Sequence, residues 1–133
     1  MAPTILIVED YTAVLEGMVQ ALRDAEFLVV ATVNGAEALA YLTDGGPADA
    51  IVLDLMMPFM DGWQFRRAQQ SDPWLAEIPV IVLSALEGRP VAGLSAAKTL
   101  KKPIDLKTLV ETVRAVCAES PRPRRRRFSF RVP

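Results

Sequence analysis

Apolar residues follow two different spacings along the chain. Short runs rich in apolar and β-branched residues cover 4–8, 27–31, 51–54 and 79–83, and a fifth, shorter run covers 99–101. Runs of this length, bounded by turn residues, are typical of strands buried inside a sheet. Between them, apolar residues recur every three or four positions, which indicates helices with one buried face. The pattern therefore predicts strands that alternate with helices.

The predicted helices begin and end at residues that favour those positions. Thr12 is the predicted N-cap of the first helix, because its hydroxyl can accept a hydrogen bond from a backbone N–H of the first turn. Asn34 opens the second helix, and the third covers 63–71, since the residue before Pro73 resists the helical conformation. Asp105 is the predicted cap of the last helix.

Residues 85–97 are harder to assign. Gly88, Pro90 and Gly93 interrupt any helix longer than about two turns, so the helix after the fourth strand is predicted to be short or irregular. Strands joined by helices form right-handed crossovers and therefore a parallel sheet with helices on both faces. We predict an α/β fold with five strands and five helices.

The composition is that of one ordinary globular domain. The chain has 133 residues, of which 51% are apolar and 23% are charged. One cysteine and no histidine exclude an internal disulfide, cysteine-cluster or histidine metal sites, and catalysis by a histidine of this chain. The first apolar run is too short to span a bilayer and lacks the flank of a signal peptide, so a cytoplasmic location without a transmembrane segment is expected.

Charge is unevenly distributed along the chain. Residues 122–133 contain six arginines and no acid, whereas the remainder has nine basic and sixteen acidic residues. Prolines and like charges oppose packing, so 120–133 is predicted to be a disordered basic tail. Two roles stay open for it. The tail can bind nucleic acid or an anionic surface through its arginines, with Phe128 and Phe130 stacking or inserting, or it can fold back on the acidic body.

Chemically distinctive residues stand where the predicted strands end. They are Glu9 and Asp10 after the first strand, Asp54 at the end of the third, Ser84 after the fourth and Lys102 after the fifth. The carboxyl ends of parallel strands share one edge of the sheet, and ligands bind beyond that edge. A carboxylate at the end of an apolar strand is costly unless a cation pairs with it. We therefore expect these side chains to lie close together.

Taken in order, the motifs at the strand ends resemble those of the receiver domain of bacterial response regulators. They are Glu9-Asp10, Asp54-Leu55-Met56-Met57-Pro58-x-x-Asp61-Gly62, Ser84-Ala85 and Lys102-Pro103. Each motif alone is weak, but four in order are specific. The resemblance covers residues 4–118 and implies a flavodoxin-like, doubly wound sheet in the order 2-1-3-4-5. Too few residues remain for a DNA-binding domain, so we expect a stand-alone receiver domain at 1–119 followed by the tail.

The resemblance implies a role for each of these residues. Asp54 would be phosphorylated by a histidine kinase or a histidine phosphotransferase. The implied ligands of a Mg²⁺ cofactor are Glu9, Asp10, Asp54 and the Met56 carbonyl. Lys102 and Ser84 would contact phosphoryl oxygens. Phosphorylation would draw Ser84 inward and change a surface that contacts a downstream protein target.

Elementary chemistry supports this interpretation. A carboxylate is a weak nucleophile and a phosphoryl group is already anionic, so their reaction needs concentrated positive charge. Clustered carboxylates supply the hard oxygen ligands that suit Mg²⁺, and a lysine adds a point charge. Because the chain has no histidine, the phosphoryl group must come from a phosphohistidine elsewhere or from a small acyl phosphate.

Two features depart from the receiver pattern. Receivers usually carry an aromatic residue three positions before the lysine, where its rotation reports phosphorylation, and this chain has Thr99 there. The stretch from Ser84 to Lys102 is also shorter than usual by about four residues, roughly one helical turn. We hypothesise that 86–97 is mobile and that the switch works by ordering this segment instead of rotating an aromatic ring.

Two rival functions stay open. A degenerate receiver would act as a scaffold without being phosphorylated. A phosphatase with an aspartyl nucleophile would share the sheet topology, but haloacid-dehalogenase-like phosphatases usually carry a second aspartate where this chain has Met56. The favoured interpretation is a signalling domain whose own chemistry is limited to accepting and slowly losing a phosphoryl group.

Overall fold

The chain folds into a five-stranded parallel sheet covered by helices. The computed structural model describes residues 2–57, 59–85 and 95–119. Their elements are β1 Thr4–Val8, α1 Thr12–Asp24, β2 Leu28–Thr32, α2 Gly35–Thr43, β3 Ala50–Asp54, α3 Gly62–Gln70, α4 Pro73–Ala76, β4 Val80–Ser84, β5 Lys98–Lys101 and α5 Leu106–Glu119. The strand order is β2-β1-β3-β4-β5, and every pair is parallel. The predicted fold class is confirmed.

Alternate residues of the central strands feed two hydrophobic clusters, one on each face of the sheet. Leu6 and Val8 of β1 point into the cluster that α2 and α3 cover, whereas Ile5 and Ile7 point into the cluster under α1 and α5. All residues of β1, β3 and β4 are buried, because neighbouring strands flank them and helices cover both faces. The two edge strands, β2 and β5, are more exposed.

Two of the three predicted helix caps are present. The Glu37 N–H donates to Asn34 Oδ1 at 2.8 Å, and the Thr108 N–H donates to Asp105 Oδ2 at 3.0 Å. The prediction for Thr12 is wrong, because Tyr11 is the N-cap of α1 and makes no capping bond with its side chain.

The start of α3 and the presence of α4 also differ from prediction. Helix α3 begins at Gly62, one residue early, because Asp61 and Gln64 form a capping box that the sequence analysis overlooked. The short α4 was not predicted. Its cap is Asp72, whose carboxylate accepts from the Trp74 N–H at 2.8 Å. The irregular helix predicted after β4 falls largely on 86–94, outside the described residues.

A buried polar pair, here called the arginine cluster, connects α3 to the segments before β4 and β5. It consists of Arg66, which is 4% exposed, and Gln69, which is fully buried. Arg66 donates from Nη1 to Gln69 Oε1 at 2.8 Å and from Nη2 to the Ser95 carbonyl at 2.9 Å. Gln69 Nε2 donates to the carbonyls of Leu75 and Ile78, at 2.8 and 3.1 Å. These bonds position the chain at the amino ends of both strands.

Candidate functional site

Three carboxylates meet at the carboxyl edge of the sheet. Val8 of β1 is paired with Leu53 of β3, so Glu9 and Asp54 reach the same level on neighbouring strands. Asp10 follows Glu9, and ligand oxygens of all three acids lie within 4.8 Å of one another. Glu9 is 1% exposed and Asp54 is 2% exposed, whereas Asp10 is exposed. Two of the three charges are therefore held away from solvent.

Lys102 provides the cation that the sequence analysis expected beside Asp54. Its Nζ lies 2.9 Å from Asp54 Oδ1 and 3.8 Å from Glu9 Oε1. The Lys102 N–H also donates to the Ser84 carbonyl at 3.0 Å, which ties this residue to the end of β4. We call Glu9, Asp10, Asp54 and Lys102 the acid cluster.

The acid cluster has three acidic groups and one basic group, and this excess of acids affects the hydrogen bonding and the pKa of Glu9. Its Oε2 accepts from the Tyr11 N–H at 3.1 Å, but its buried Oε1 has no hydrogen-bond partner among the described residues. Burial raises the pKa of Glu9 to about 7, and the negative charge of Asp54 acts in the same direction, whereas the Tyr11 N–H and Lys102 lower it. Three acids and one lysine give the cluster an excess of acidic groups, which an additional cation would offset.

Backbone contacts fix the orientation of Asp54. Besides the lysine contact, its Oδ1 accepts from the Met56 N–H at 3.2 Å. The Gly62 N–H donates to the Leu55 carbonyl at 3.0 Å. A Cβ at Gly62 would lie only 2.6 Å from Leu55 Cα and 2.9 Å from the Asp54 carbonyl oxygen, so this close approach requires a glycine. The Asp-Gly pair that begins α3 thus holds the loop that carries Asp54 and Met56.

The acid cluster forms one end of a cleft of about 430 Å³. The other end is apolar and lies between α1 and the segment that leads into α5. Its walls include Val14, Gly17, Met18, Ile104 and Leu106. None of these residues was predicted from the sequence to belong to the site. Gly17 could have indicated the cleft from the sequence. A glycine in a helix interior costs about 1 kcal/mol of stability relative to alanine, so its presence there suggests that space for a side chain is limited or is used by a ligand.

Ser84, Thr99 and Met56 occupy different surroundings. Ser84 is buried at the end of β4, and Thr99 is exposed on β5, and neither lines the cleft. Met56 does line it, with its side chain 57% exposed. The structure therefore brings Glu9, Asp10, Asp54, Met56 and Lys102 to one cleft, and leaves Ser84 beside it and Thr99 on the sheet edge.

The donor set fits a hard divalent cation. All the side-chain ligand atoms that the cluster offers are carboxylate oxygens, which is the set that Mg²⁺ takes in proteins. Glu9 Oε1 is buried and accepts no hydrogen bond from the described residues, and a bound cation would satisfy such an atom.

Comparison with known proteins identifies the family. A family model described as the response regulator receiver domain matches residues 5–114. The chain belongs to the receiver family. Receiver domains are the phosphoacceptors of two-component systems, are phosphorylated by histidine kinases, bind Mg²⁺ at an acidic pocket and are in general signalling domains and not enzymes. In this chain Glu9, Asp10 and Asp54 form a cluster of acids at the carboxyl edge of the sheet.

Relatives with known names support the assignment. The chain is 42% identical over 123 residues to the transcriptional regulatory protein PrrA of Mycobacterium tuberculosis. This alignment covers 86% of this chain and 50% of PrrA. It is 39% identical over 121 residues to the response regulator PleD of Caulobacter vibrioides. That alignment covers 87% of this chain and 26% of PleD. The chain thus spans half or less of the length of these relatives, and the single-domain architecture stays a prediction.

Solved structures give the same picture of the fold. The signal receiver domain of a signal transduction histidine kinase from Syntrophus aciditrophicus superposes with a TM-score of 0.84 at 30% identity, over 92% of this chain and 95% of that one. The chemotaxis protein CheY4 of Vibrio cholerae superposes with a TM-score of 0.79 at 27% identity, over 87% and 99% of the two chains. Within the described part of this chain, no helix has the length and apolar character needed to cross a membrane.

Proposed function

We propose that Asp54 of this receiver domain accepts a phosphoryl group from a histidine kinase or a histidine phosphotransferase in a Mg²⁺-dependent phosphorelay. The observation that carries the proposal is the acid cluster itself. The buried Asp54 carboxylate is paired with one lysine at 2.9 Å and has two further acids beside it. One of these, Glu9, has a buried oxygen that accepts no hydrogen bond in the described part of the chain. This excess of negative charge would destabilise an ion pair that had only a structural role, whereas a site that binds a cation requires it.

The residues of the cluster take separate roles in this proposal. Glu9, Asp10, Asp54 and the Met56 carbonyl hold Mg²⁺, which when bound neutralises charge on the phosphoryl oxygens. Lys102 places an ammonium beside the same carboxylate and offsets the negative charge that accumulates there. The Met56 N–H and Lys102 both hold Asp54 Oδ1, so the carboxylate is oriented before the donor arrives.

The transfer step exchanges one bond to phosphorus for another. An Asp54 carboxylate oxygen attacks the phosphorus of the donor phosphohistidine, an oxygen–phosphorus bond forms and the nitrogen–phosphorus bond breaks. The imidazole nitrogen of the donor takes up a proton. Because these 133 residues contain no histidine, the donor phosphohistidine lies outside them, and a small acyl phosphate can replace it in the test tube.

The output in this proposal is contact with a downstream protein target. Ser84 is drawn toward the new phosphoryl oxygens, which moves the segment that follows β4. Thr99 stands where most receivers carry an aromatic ring, so we propose that ordering of the 86–97 segment replaces ring rotation. That segment lies almost wholly outside the described residues. The cytoplasmic location expected from the sequence is part of this proposal.

Phosphorylation with acetyl phosphate tests the proposal. The full chain is incubated with acetyl phosphate and Mg²⁺, and its intact mass is measured. We expect a gain of one phosphoryl group, lost when EDTA replaces Mg²⁺ and absent from Asp54→Asn. Asp44→Asn is the matched control, because Asp44 is an exposed aspartate at the end of α2.

The outcomes also separate the rival functions. A protein that gains no mass but keeps its fold is a scaffold. Sustained turnover of a phosphoester substrate indicates a phosphatase. Incorporation that persists in Asp54→Asn contradicts the assignment of the phosphoacceptor.

A further inference from the structure

The two edges of the sheet differ in their protection. The edge strand β5 carries Lys98 and Lys101, and charged residues, lysine above all, are a common device against unwanted strand pairing. The opposite edge strand, β2, has the sequence Leu-Val-Val-Ala-Thr and contains no charge and no proline. Leu28 at its start is 53% exposed. An apolar, uncharged edge of this kind favours pairing with another strand.

A groove runs along the first half of the β2 edge. Its volume is about 470 Å³, and it is lined on one side by Phe27 and Val29 and on the other by Leu28, Val30 and Tyr41. Val29 and Val30 are only half-buried. A strand that paired here would therefore cover apolar side chains on both faces of the sheet.

The carboxyl end of α5 lies next to this groove. Arg114, five residues before the end of the helix, donates from Nη2 to the Ala25 carbonyl at 3.4 Å. Its guanidinium also lies 5.7 Å from the centre of the Phe27 ring. The second half of α5 therefore lies near the start of β2, at the end of the sheet opposite the acid cluster.

Residues 120–133 contain a strand pattern of matching length. From 128 to 132 the sequence is Phe-Ser-Phe-Arg-Val, in which apolar and polar residues alternate as they do in a strand. It has five residues, as β2 does. The eight residues at 120–127 reach roughly 26 Å when extended, which is ample for the turn around the edge of the sheet.

Tethering favours the chain's own segment over other occupants. The groove lining includes Arg23 and no acid, so charge at the groove does not add to this preference. A tethered segment is present at an effective concentration in the millimolar range, above that of a second copy in dilute solution. We propose that residues 128–132 pair with the free edge of β2 as a sixth strand, which protects this edge and ties the basic segment to the domain.

The orientation of the β2 amides makes the proposal measurable. The Leu28 N–H donates to the Pro3 carbonyl at 3.0 Å, and the Thr32 carbonyl accepts from the Glu9 N–H at 3.1 Å. Residues 28, 30 and 32 therefore direct their backbone groups toward β1. By alternation, the N–H groups of Val29 and Ala31 face the free edge.

Residue-resolved amide hydrogen exchange on the full chain tests the proposal. We expect Val29 and Ala31 to exchange at least about tenfold more slowly in the unaltered chain than in the double variant Phe128→Ser/Phe130→Ser. Val30 and Thr32 are the internal reference, and their exchange should not change. The matched control is Arg125→Ser/Arg126→Ser, which removes two charges but keeps the alternation and should keep the protection.

Three results would overturn this inference. Exchange of Val29 and Ala31 that is fast in the unaltered chain, or slow but unaffected by the double variant, excludes pairing with 128–132. Protection that grows with protein concentration assigns the edge to a second copy. Loss of protection in the arginine control, equal to that in the phenylalanine variant, indicates a nonspecific electrostatic contact.

Discussion

The two buried polar clusters of this domain lie at opposite ends of the sheet and satisfy their polar groups differently. In the arginine cluster, Arg66 and Gln69 donate hydrogen bonds to acceptors at 2.8 to 3.1 Å. In the acid cluster, Glu9 Oε1 is buried and has no hydrogen bond within residues 2–57, 59–85 and 95–119, and three acids face one lysine. Each cluster contains two almost fully buried polar or charged side chains, Arg66 and Gln69 in one and Glu9 and Asp54 in the other.

This contrast distinguishes a structural cluster from a functional one. A buried polar group whose hydrogen bonds are complete stabilises the positions of the elements it connects. A cluster with unpaired charge of one sign lowers the stability of the protein alone and becomes favourable only when a ligand of opposite sign binds. Substitutions in the two clusters should therefore differ in size, in sign and in their response to Mg²⁺.

The largest effect on stability is expected in the arginine cluster. Arg66→Met removes the donors to Gln69 Oε1 and to the Ser95 carbonyl. Leaving the buried Gln69 oxygen without this donor, and losing the second bond, should cost about 2–3 kcal/mol of unfolding free energy. The control is Arg67→Met at the exposed neighbouring position. Urea unfolding measures both, and the loss should be the same in EDTA and in Mg²⁺. Equal stability of the two variants would show that the cluster is not structural.

A smaller loss, which Mg²⁺ should reduce, is expected at Lys102. Lys102→Met leaves the buried Asp54 carboxylate without its cation, which should cost about 1–2 kcal/mol in EDTA because the lysine is partly exposed. Mg²⁺ should restore part of the loss by supplying positive charge to the same carboxylates. Lys98→Met on the exposed edge strand is the control. A deficit as large in Mg²⁺ as in EDTA would contradict the comparison.

The opposite sign is expected at Glu9. Glu9→Gln removes a buried charge, keeps an oxygen for the Tyr11 N–H and offers an amide N–H to the Asp54 carboxylate, so it should stabilise the metal-free protein by about 1 kcal/mol. Thermal unfolding in EDTA measures the change. Glu16→Gln on the exposed face of α1 should leave the stability within about 0.5 kcal/mol. Destabilisation by Glu9→Gln would mean that the cluster is balanced without a metal.

The smallest effect concerns the cleft that opens from the acid cluster. A Cβ at Gly17 would have one neighbour, Leu106 Cδ1 at 3.9 Å, so Gly17→Ala should stabilise α1 by about 0.5–1 kcal/mol. Gly35→Ala is the contrasting control, because its Cβ would lie 2.8 Å from the Met60 carbonyl oxygen and should destabilise the fold. Chemical unfolding measures both variants. Destabilisation by Gly17→Ala would show that the cleft at this position is already filled.

The sheet and the acid cluster were predictable from the sequence for a shared physical reason. Parallel strands are buried on both faces and leave continuous apolar runs, and a carboxylate that interrupts the end of such a run is conspicuous. The order of strand-end motifs then placed Asp54 and Lys102 at the same edge, where the structure finds them 2.9 Å apart. The excess charge that leaves Glu9 Oε1 unpartnered needed coordinates, because it depends on burial and distance.

The arginine cluster was not predictable from the sequence. The α3 sequence Gly-Trp-Gln-Phe-Arg-Arg-Ala-Gln-Gln resembles a solvated polar face, and nothing local marks Arg66 as buried and Arg67 as exposed. The acceptors of Arg66 and Gln69 include backbone carbonyls of Leu75, Ile78 and Ser95, which any residue type can supply. Interactions with distant backbone atoms leave no pattern in the sequence.

The central claim is that the acid cluster is incomplete without a divalent cation, and a Mg²⁺ titration of thermal unfolding tests it most directly. The melting temperature of the full chain is measured from EDTA through increasing Mg²⁺, beside Asp10→Asn and the exposed control Asp44→Asn. We predict that Mg²⁺ raises the melting temperature of the unaltered chain and of the control, and that Asp10→Asn weakens this response. A melting temperature that is the same in EDTA and in saturating Mg²⁺ would contradict the account.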